Sequence, residues 1–257
     1  MRRGLAPNHQ QAQADIAAGR VIVGGAPAHK PTRLVAPGEP IRVVGPPPRF
    51  VGRGGEKLDA ALDRFDVAVA GRRAYDLGAS TGGFTDCLLQ RGAASVVALD
   101  VGHGQLHERL RADPRVEVLD RTNVRSVAPG DLGLAADLLV VDLSFISLRT
   151  VLAGALALGH PGADLVALVK PQFEADREEA ARGKGVISDP TVWRRVLEEV
   201  TAALDGLGAA IMGAMASPLT GAGGNVEFLL HARSAPARPT APPAELLALA
   251  LSEAEAR

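Results

Sequence analysis

The stretch Asp76-Leu-Gly-Ala-Ser-Thr-Gly-Gly-Phe-Thr85 decides the fold of this chain. Apolar residues ending at Ala74-Tyr75 precede it, an amphipathic segment begins at Asp86, and a second apolar run, Ser95–Leu99, then leads to Asp100. A strand, a glycine turn, a helix start and a second strand ending in an acid form the unit by which doubly wound α/β domains bind nucleoside-containing cofactors. The stretch therefore predicts an α/β domain with such a site.

The spacing of the glycines indicates which cofactor this site binds. Dinucleotide sites usually carry G-x-G-x-x-G, with the pyrophosphate at the helix N-terminus. Here Gly78, Gly82 and Gly83 follow the pattern G-x-x-x-G-G, and Asp76 stands before them on the strand. An acid there would repel a pyrophosphate but suits the ammonium group of S-adenosylmethionine. We therefore predict a methyl-donor site, with Asp100 accepting hydrogen bonds from the ribose hydroxyls.

Length and composition favour one α/β domain with a small additional module. The chain has 257 residues, 47% of them hydrophobic and only 3% aromatic, so the core must consist mainly of Ala, Val and Leu. The single cysteine, Cys87, excludes an internal disulfide framework and is expected to be a small buried residue. No apolar run approaches the roughly 20 residues that span a bilayer. We expect a soluble, cytoplasmic protein without a signal peptide.

Charge is distributed unevenly along the chain. The net charge is −1, yet residues 1–55 contain eight basic and two acidic residues. This basic segment indicates a small module that contacts a polyanion, although an unevenly charged, solvated surface is the alternative. Lysine occurs only at positions 30, 57, 170 and 184. Where arginine is so strongly preferred, the remaining lysines are candidates for roles that need an ammonium group.

Hydrophobic periodicity predicts the order of the elements. Residues 8–18 should form a helix and residues 20–23 and 41–44 short strands, before a proline-rich linker that begins at Gly45. Further on, strands near 74–77, 95–100, 116–119, 137–143 and 164–169 alternate with helices near 56–65, 82–92, 104–112 and 147–157, which predicts a parallel sheet. A helix over 190–204 and an antiparallel pair of strands, 209–215 and 225–231, complete a seven-stranded sheet. The predicted divisions are a module at 1–45, a linker at 46–55, a catalytic domain at 56–234 and a tail at 235–257.

Polar residues at the strand ends are the candidates for chemistry, because ligands of open parallel sheets bind there. Asp120 and Asn123 follow the third strand and could recognise the adenine amino group. Asp142 and Lys170 end the next two strands, and Glu227 lies in the last one. A lysine and an acid at neighbouring strand ends could form a structural ion pair. The abrupt turns at Ser144 and Pro171 favour a catalytic role instead.

These motifs together resemble the TlyA family, which belongs with the FtsJ-type ribose 2′-O-methyltransferases and whose members have been called haemolysins. The resemblance rests on Asp76–Asp86, Val141-Asp-Leu-Ser-Phe-Ile146, Leu168-Val-Lys-Pro-Gln-Phe173, Gly183-Lys-Gly-Val186 and Gly224-Asn-Val-Glu227. It implies an N-terminal S4 RNA-binding module joined to a class I methyltransferase domain of Rossmann-like topology. It also implies a catalytic tetrad of Lys57, Asp142, Lys170 and Glu227 that acts on a cytidine 2′-hydroxyl of ribosomal RNA.

Donor binding is assigned to the glycine turn and the two strand ends beside it. The residues are Asp76, Gly78, Ser80, Thr81, Gly82, Gly83, Phe84, Asp100, Asp120 and Asn123. Two versions of the chemistry stay open, because Lys170 could act as a neutral base or as a charged group that orients the oxygen. No metal is expected, since His103 and His107 lack a third ligand nearby.

The first residues depart from the pattern of the family. S4 modules usually begin with a helix containing Arg-Leu-Asp, whereas this sequence starts inside that region, and Asn8-His9 replaces the usual Ser-Arg. We expect a truncated module with altered RNA affinity. Two other functions remain alternatives to methyl transfer. One is a membrane-active cytolysin, and the other is a ribosome-assembly factor with a vestigial donor site. The oligomeric state stays open.

Overall fold

Two compact units make up the chain, Met1–Arg49 and Phe50–Arg257. The computed structural model describes residues 3–6, 12–13, 15–16, 19–46, 48–235, 237–239 and 241–256. The division between the units falls inside the linker predicted at 46–55. Each unit is described by itself below.

A small antiparallel sheet forms the first unit. Its strands are β1 (Val21–Val23), β2 (Ala26–Pro27) and β3 (Ile41–Val43), in the order β2-β1-β3. Gly24 and Gly25, both with positive φ, make the tight turn between β1 and β2. The two predicted strands are thereby confirmed. Of the predicted helix 8–18, residues 12–13 and 15–16 are helical, and the rest, including Asn8 and His9, lies outside the described residues.

The second unit is built on a seven-stranded sheet within the described residues. Its order is β6-β5-β4-β7-β8-β10-β9, with the first five strands parallel and β10 antiparallel to both neighbours. The mainly parallel sheet and its antiparallel pair are confirmed, and β10 inserts between β8 and β9. The strands are β4 (Arg73–Leu77), β5 (Ser95–Leu99), β6 (Val116–Leu119), β7 (Ala136–Val141), β8 (Gly159–Val169), β9 (Ala209–Ala216) and β10 (Phe228–Ser234).

Helices cover both faces of this sheet, which is why its strands are continuously apolar. One face packs against α1 and α2, and the other against α4, α7 and α8. The helices of this unit are α1 (Gly54–Arg64), α2 (Gly83–Gln90), α3 (Glu108–Arg111), α4 (Leu152–Ala157), α5 (Pro171–Glu174), α6 (Arg177–Arg182), α7 (Pro190–Gly206) and α8 (Pro243–Glu255). Short 3₁₀ turns occur at Val124–Ser126, Leu148–Thr150 and Ala222–Gly224.

Local chemistry explains the longest helix. Asp189 caps α7 by accepting a hydrogen bond from the Thr191 amide (2.8 Å), and Pro190 occupies the first turn, where its missing N–H costs nothing. Trp193 is buried against the ring of Phe228, and its indole N–H donates to the Ile187 carbonyl (2.9 Å). Trp193 is therefore a core residue, and Cys87 is likewise buried.

The helix predicted over 104–112 is wrong in its first half, because α3 spans only Glu108–Arg111. Gly104 has positive φ, and its amide donates to the Asp120 carboxylate (3.2 Å) instead of entering a helix. His103 therefore lies in a loop beside Asp120, while His107 caps α3 by accepting from the Arg109 amide. The two histidines do not share a helical face.

The predicted tail contains α8, which packs on the sheet at β9. Leu247, Ala250, Leu251 and Ala254 form its buried side. This C-terminal segment is therefore part of the second unit, beyond the domain end predicted at residue 234.

A charged cluster is buried toward the amino ends of the parallel strands, away from the carboxyl ends where Asp142 and Lys170 lie. Asp164, 2% exposed, accepts hydrogen bonds from Arg72 (2.7 Å), His231 (2.8 Å) and Arg233 (2.8 Å). Burial opposes ionisation of Asp164, but these three hydrogen bonds outweigh it and hold the pKa of the carboxyl well below its usual range. The cluster ties β8 to β10 and to the segment before β4.

We expect Asp164→Asn to lower the free energy of unfolding at pH 7 by about 3 kcal/mol, because the cationic partners lose their buried counter-charge. Since the folded-state pKa lies below the unfolded value, this stabilisation is present above about pH 4 and is lost as the pH falls. Urea unfolding at pH 7 and at pH 3 measures the difference. Asp63→Asn is the control, since Asp63 pairs with Arg91 but its side chain is 71% exposed, and it should cost below about 1 kcal/mol. Equal losses for the two variants would contradict the expectation.

Candidate active site

Sheet topology brings three of the four predicted catalytic residues to one edge. Asp142 follows β7 and Lys170 follows β8, which are adjacent parallel strands, so both lie at the carboxyl edge. Because β10 runs antiparallel to β8 with Phe228 opposite Val169, Glu227 reaches the same edge across from Lys170. The insertion of β10 beside β8 thus places an acid on each side of this lysine.

The fourth residue, Lys57, comes from the first turns of α1. A Cβ atom on Gly54 would lie 3.7 Å from Asp142 Oδ2 and 3.3 Å from the Phe84 ring, and one on Gly83 would lie 2.9 Å from the Gly55 amide nitrogen. Glycines at these positions let the start of α1 approach the start of α2 and the end of β7. This close approach brings Lys57 to the strand ends.

The four residues form two lysine–carboxylate pairs. Lys57 Nζ donates to Glu227 Oε2, and these residues are 6% and 2% exposed. Lys170 Nζ lies 2.6 Å from Asp142 Oδ1 and donates to Ser144 Oγ at 2.9 Å. Each ammonium therefore has a counter-charge, as charges withdrawn from water require.

A cavity of about 400 Å³ adjoins the second pair. It lies over the ends of β4, β5 and β7 and includes Asp142, so it connects the predicted donor site with the predicted tetrad. The lining residues are Gly78, Ser80, Leu99, Asp100, Val101, Gln105, Thr122, Asn123, Val124, Asp142, Leu143, Ser144, Phe145 and Ile146. A cavity of this size with a mixed polar and apolar lining fits a nucleoside-containing ligand.

The glycine turn brings backbone close to this cavity. Gly78 has φ +99°, and a Cβ atom there would lie 2.4 Å from the carbonyl oxygen of Asp142, so only glycine fits. Both oxygens of Asp100 accept backbone hydrogen bonds, from the Ser80 amide at 2.8 Å and the Gly102 amide at 2.7 Å. The carboxylate is thereby held in one orientation at the cavity.

Asp76 lies in β4 on the face covered by α2 and is completely buried. Its Oδ2 accepts a hydrogen bond from Thr85 Oγ1 at 2.6 Å, whereas Oδ1 has no hydrogen-bond partner among the described residues. Burial raises the pKa of Asp76 to about 7, with a smaller contribution from the nearby charge of Asp142. Asp76 does not line the cavity, and its role in donor binding stays a prediction, based on an unpaired buried oxygen that would suit a positively charged ligand.

The other predicted donor residues divide into those that border the cavity and those that do not. Asn123 borders it and caps the following 3₁₀ turn through the Arg125 amide. Asp120 is not in the lining and contacts Arg111 (3.0 Å), His103 (3.2 Å) and the Gly104 amide. Four residues at the start of α2 are also absent from the lining: Thr81, Gly82, Gly83 and Phe84. All these assignments stay predictions.

Sequence reasoning did not single out Phe145, which borders the cavity next to Asp142 and Ser144. Its side chain is 92% exposed, and its backbone has φ +65°, a left-handed conformation rare for an aromatic residue. The ring of Phe173, the third residue after Lys170, packs against it with the ring centroids 5.1 Å apart. The available signal was its place in the motif Val141-Asp-Leu-Ser-Phe-Ile146.

Two features are absent from the described part of the chain. There, no group of three or more His, Cys, Asp or Glu side chains is arranged to hold a metal ion. No described helix is long and apolar enough to cross a membrane.

Comparisons with known proteins identify the family of this chain. Residues 50–234 match the FtsJ-like methyltransferase family. The 16S/23S rRNA (cytidine-2′-O)-methyltransferase TlyA of Mycobacterium tuberculosis is 50% identical over 235 residues, which are 91% of this chain and 87% of the relative. Hemolysin A of Brachyspira hyodysenteriae is 35% identical, with 89% of this chain and 95% of the relative covered.

A solved structure from Streptococcus thermophilus, provisionally named a hemolysin, superposes with a TM-score of 0.80 at 37% identity. The match covers 99% of this chain and 94% of that one. The sheet order, the family match and these relatives confirm the predicted class I methyltransferase fold, and the family implies S-adenosylmethionine as methyl donor. The chain belongs to the TlyA family of FtsJ-like methyltransferases.

Proposed function

We propose that this protein transfers a methyl group from S-adenosylmethionine to the ribose 2′-hydroxyl of a cytidine in ribosomal RNA. The observation that carries the proposal is the pair of lysine–carboxylate contacts at the carboxyl edge, one of which borders the donor cavity. The name of the relative in Mycobacterium tuberculosis supports the substrate.

The reaction requires that the ribose oxygen is held in position and that its developing charge is stabilised. When bound, S-adenosylmethionine supplies a methyl group on a positively charged sulfur. A bond forms between the ribose oxygen and the methyl carbon, the carbon–sulfur bond breaks with its electron pair going to sulfur, and the hydroxyl proton passes to a solvent water as the oxygen attacks. Because such a displacement is in line, the protein contributes mainly by holding the oxygen in place and by stabilising its developing negative charge.

Lys170 is suited to this task as a charged group. Its ammonium carries three protons, and Asp142 and Ser144 occupy two directions around the nitrogen. Lys170 does not itself line the cavity, and we propose that its ammonium donates a proton to the ribose oxygen when RNA is bound. This arrangement favours the orienting role of Lys170 over the neutral-base role. Lys57 and Glu227, a second neutralised pair, place a further ammonium group at this edge.

Phe145 supplies a surface for a base. An exposed aromatic ring beside the proposed reactive groups suits RNA, whose unpaired bases stack on aromatic side chains. The left-handed backbone of Phe145 costs on the order of 1 kcal/mol, which indicates that the position of the ring is constrained. We propose that the target base, or its neighbour, stacks on Phe145.

The first unit is proposed to contribute RNA affinity as an S4-like module. Lys30, Arg33 and Arg42 are exposed on it, and Arg33 is paired with Glu39 at 2.9 Å. Clustered basic side chains on a small unit are suited to contacts with the phosphate backbone of RNA.

Lys170→Ala should lower the single-turnover methylation rate by about 10²–10⁴-fold, because the ribose oxygen loses its donor. Donor affinity, measured by calorimetry, should change only a few-fold. The assay uses ribosomal subunits from cells without the gene, with mass-spectrometric detection of 2′-O-methylcytidine. Lys184→Ala is the control, since Lys184 is exposed and outside the tetrad. An unimpaired Lys170→Ala enzyme would contradict the assignment, and a wild type that binds no donor would favour the assembly-factor alternative.

Asp76→Asn should remove a pH dependence of donor binding. With a pKa of about 7, Asp76 is largely neutral at pH 5.5 and ionised at pH 8, so wild-type affinity for the donor ammonium should rise as the pH increases from 5.5 to 7.5. Without donor, the folded state binds this proton more tightly than the unfolded state, so stability should fall as the pH rises from about 4 to 7. Calorimetry and thermal unfolding across this range check both trends, and both should flatten in the variant. A pH-independent difference between wild type and variant would contradict the role.

Phe145→Ala should raise the KM for RNA by about tenfold, as expected from losing one stacking contact of about 1–3 kcal/mol. Phe145→Tyr keeps the ring and should remain near wild type. Steady-state kinetics on ribosomal subunits measure both variants. If Phe145→Tyr were as impaired as Phe145→Ala, stacking would not explain the effect.

A further inference from the structure

The segment Leu143–Ser147, called the substrate loop here, borders both the donor cavity and the Asp142–Lys170 pair. Four of its residues line the cavity, and Ser144 accepts a hydrogen bond from Lys170. The segment has no helix or strand hydrogen bonding of its own. Its position therefore depends on contacts with neighbouring elements.

Glu174, the last residue of α5, makes the strongest of these contacts. It is 4% exposed, its Oε1 accepts from the Leu148 amide at 2.6 Å, and its Oε2 accepts from Ser147 Oγ at 2.6 Å. Both oxygens of one carboxylate therefore bind the end of the substrate loop. Hydrogen bonds to an ionised acceptor at this distance are strong.

Arg149 reinforces this arrangement from outside. Its Nε lies 3.4 Å from Glu174 Oε2, and its Nη2 donates to the Glu174 carbonyl at 3.0 Å. A further bond of 2.7 Å joins Arg149 to Glu199 on α7. The carboxylate is thus neutralised at the surface side while its oxygens face the loop.

Glu174 lies on the same short segment as the proposed catalytic lysine. The segment Lys170–Glu174 contacts the substrate loop at three points, Lys170 at Ser144, Phe173 at Phe145 and Glu174 at Ser147, and Glu174 also accepts from the Leu148 amide that follows the loop. Because α5 is a single helical turn, these contacts set the loop relative to Lys170 and not only relative to the core. Movement of the loop would change the distance between the lysine and the residues proposed to meet the RNA.

We propose that Glu174 is a positioning residue for methyl transfer, which holds the substrate loop, and with it Ser144 and Phe145, against Lys170. This inference rests on the proposed function. A purely structural carboxylate would stabilise the fold without affecting the rate of the folded enzyme. The two roles therefore differ in kinetics and not in stability.

Burial of this acid gives independent support. Desolvation raises the pKa of Glu174 above its ordinary value, even though the hydrogen bonds from Ser147 and Leu148 lower it. A charged acid at this position thus opposes stability. Buried acids whose pKa is shifted in this way cluster at functional sites.

The test compares Glu174→Ala, Glu174→Gln and Ser147→Ala with a destabilised control, Leu251→Ala. Leu251 is buried in α8, away from the loop, so its truncation lowers stability without changing the site. Single-turnover methylation of unmodified ribosomal subunits, at saturating donor and RNA, gives the rate of the folded enzyme. Thermal unfolding and donor calorimetry accompany it.

We expect Glu174→Ala to lower this rate by about 100-fold, as displacement of reacting groups by about 1 Å does, and Ser147→Ala to lower it by about 10-fold. Glu174→Gln should recover most of the rate, because its carbonyl can still accept from Leu148 while Ser147 turns its hydroxyl to accept from the amide. Leu251→Ala should lower the unfolding midpoint but keep the wild-type rate.

Three results would overturn the inference, and they are distinguishable. If folded Glu174→Ala and Ser147→Ala both keep the wild-type rate, Glu174 is only structural. If Leu251→Ala loses as much rate as Glu174→Ala at the same unfolding midpoint, the effect is one of stability. If the wild type binds donor but transfers no methyl group, the proposed function fails and this role with it. Should Glu174→Ala not fold, Ser147→Ala still decides, because it removes one of the two hydrogen bonds to Glu174 Oε1 and Oε2.

Discussion

The site depends on the neutralisation of two lysines, of which Lys57 is buried and Lys170 is partly exposed. Lys57 and Lys170 each contact one carboxylate, Glu227 and Asp142, at the carboxyl edge of the sheet. A buried ammonium without a partner would cost several kcal/mol, so each pair is formed only if the elements that carry its members meet accurately. This requirement connects the fold to the chemistry. The insertion of β10 next to β8 brings Glu227 opposite Lys170, and the glycine contacts of α1 bring Lys57 to Glu227.

Much of the sheet was predictable because its signals are local. Parallel strands covered on both faces appear as apolar runs between helices, and all seven were located from the sequence. Residues at their ends, such as Asp142 and Lys170, could be placed at one edge by topology alone. Lys57 could not, because its approach depends on contacts among Gly54, Gly83 and Phe84, which are distant in sequence. The scarcity of lysine made Lys57 a candidate, and only the resemblance to a family placed it with Asp142, Lys170 and Glu227.

Loop geometry was the least predictable part, because it depends on single tertiary contacts. The helix predicted at 104–112 is short because the Asp120 side chain accepts the hydrogen bond of the Gly104 amide. Phe145 takes a left-handed conformation that its residue type disfavours. The partner that holds its loop, Glu174, is 29 positions away and carries no signal of its own in a single sequence. Such residues become visible only when the distances between side chains are known.

The glycine turn after β4 and the end of β7 are in direct backbone contact, and both also border the cavity. A side chain at Gly78 would strike the carbonyl of Asp142, so the turn that faces the donor packs directly against the residue that holds Lys170. The charge of Asp142 also contributes to the raised pKa of Asp76. A ligand that neutralises Asp76 would therefore change the electrostatic surroundings of Asp142, and through it those of Lys170. If Asp76 binds the donor as proposed, donor binding and the orientation of Lys170 would be linked by these two short-range interactions.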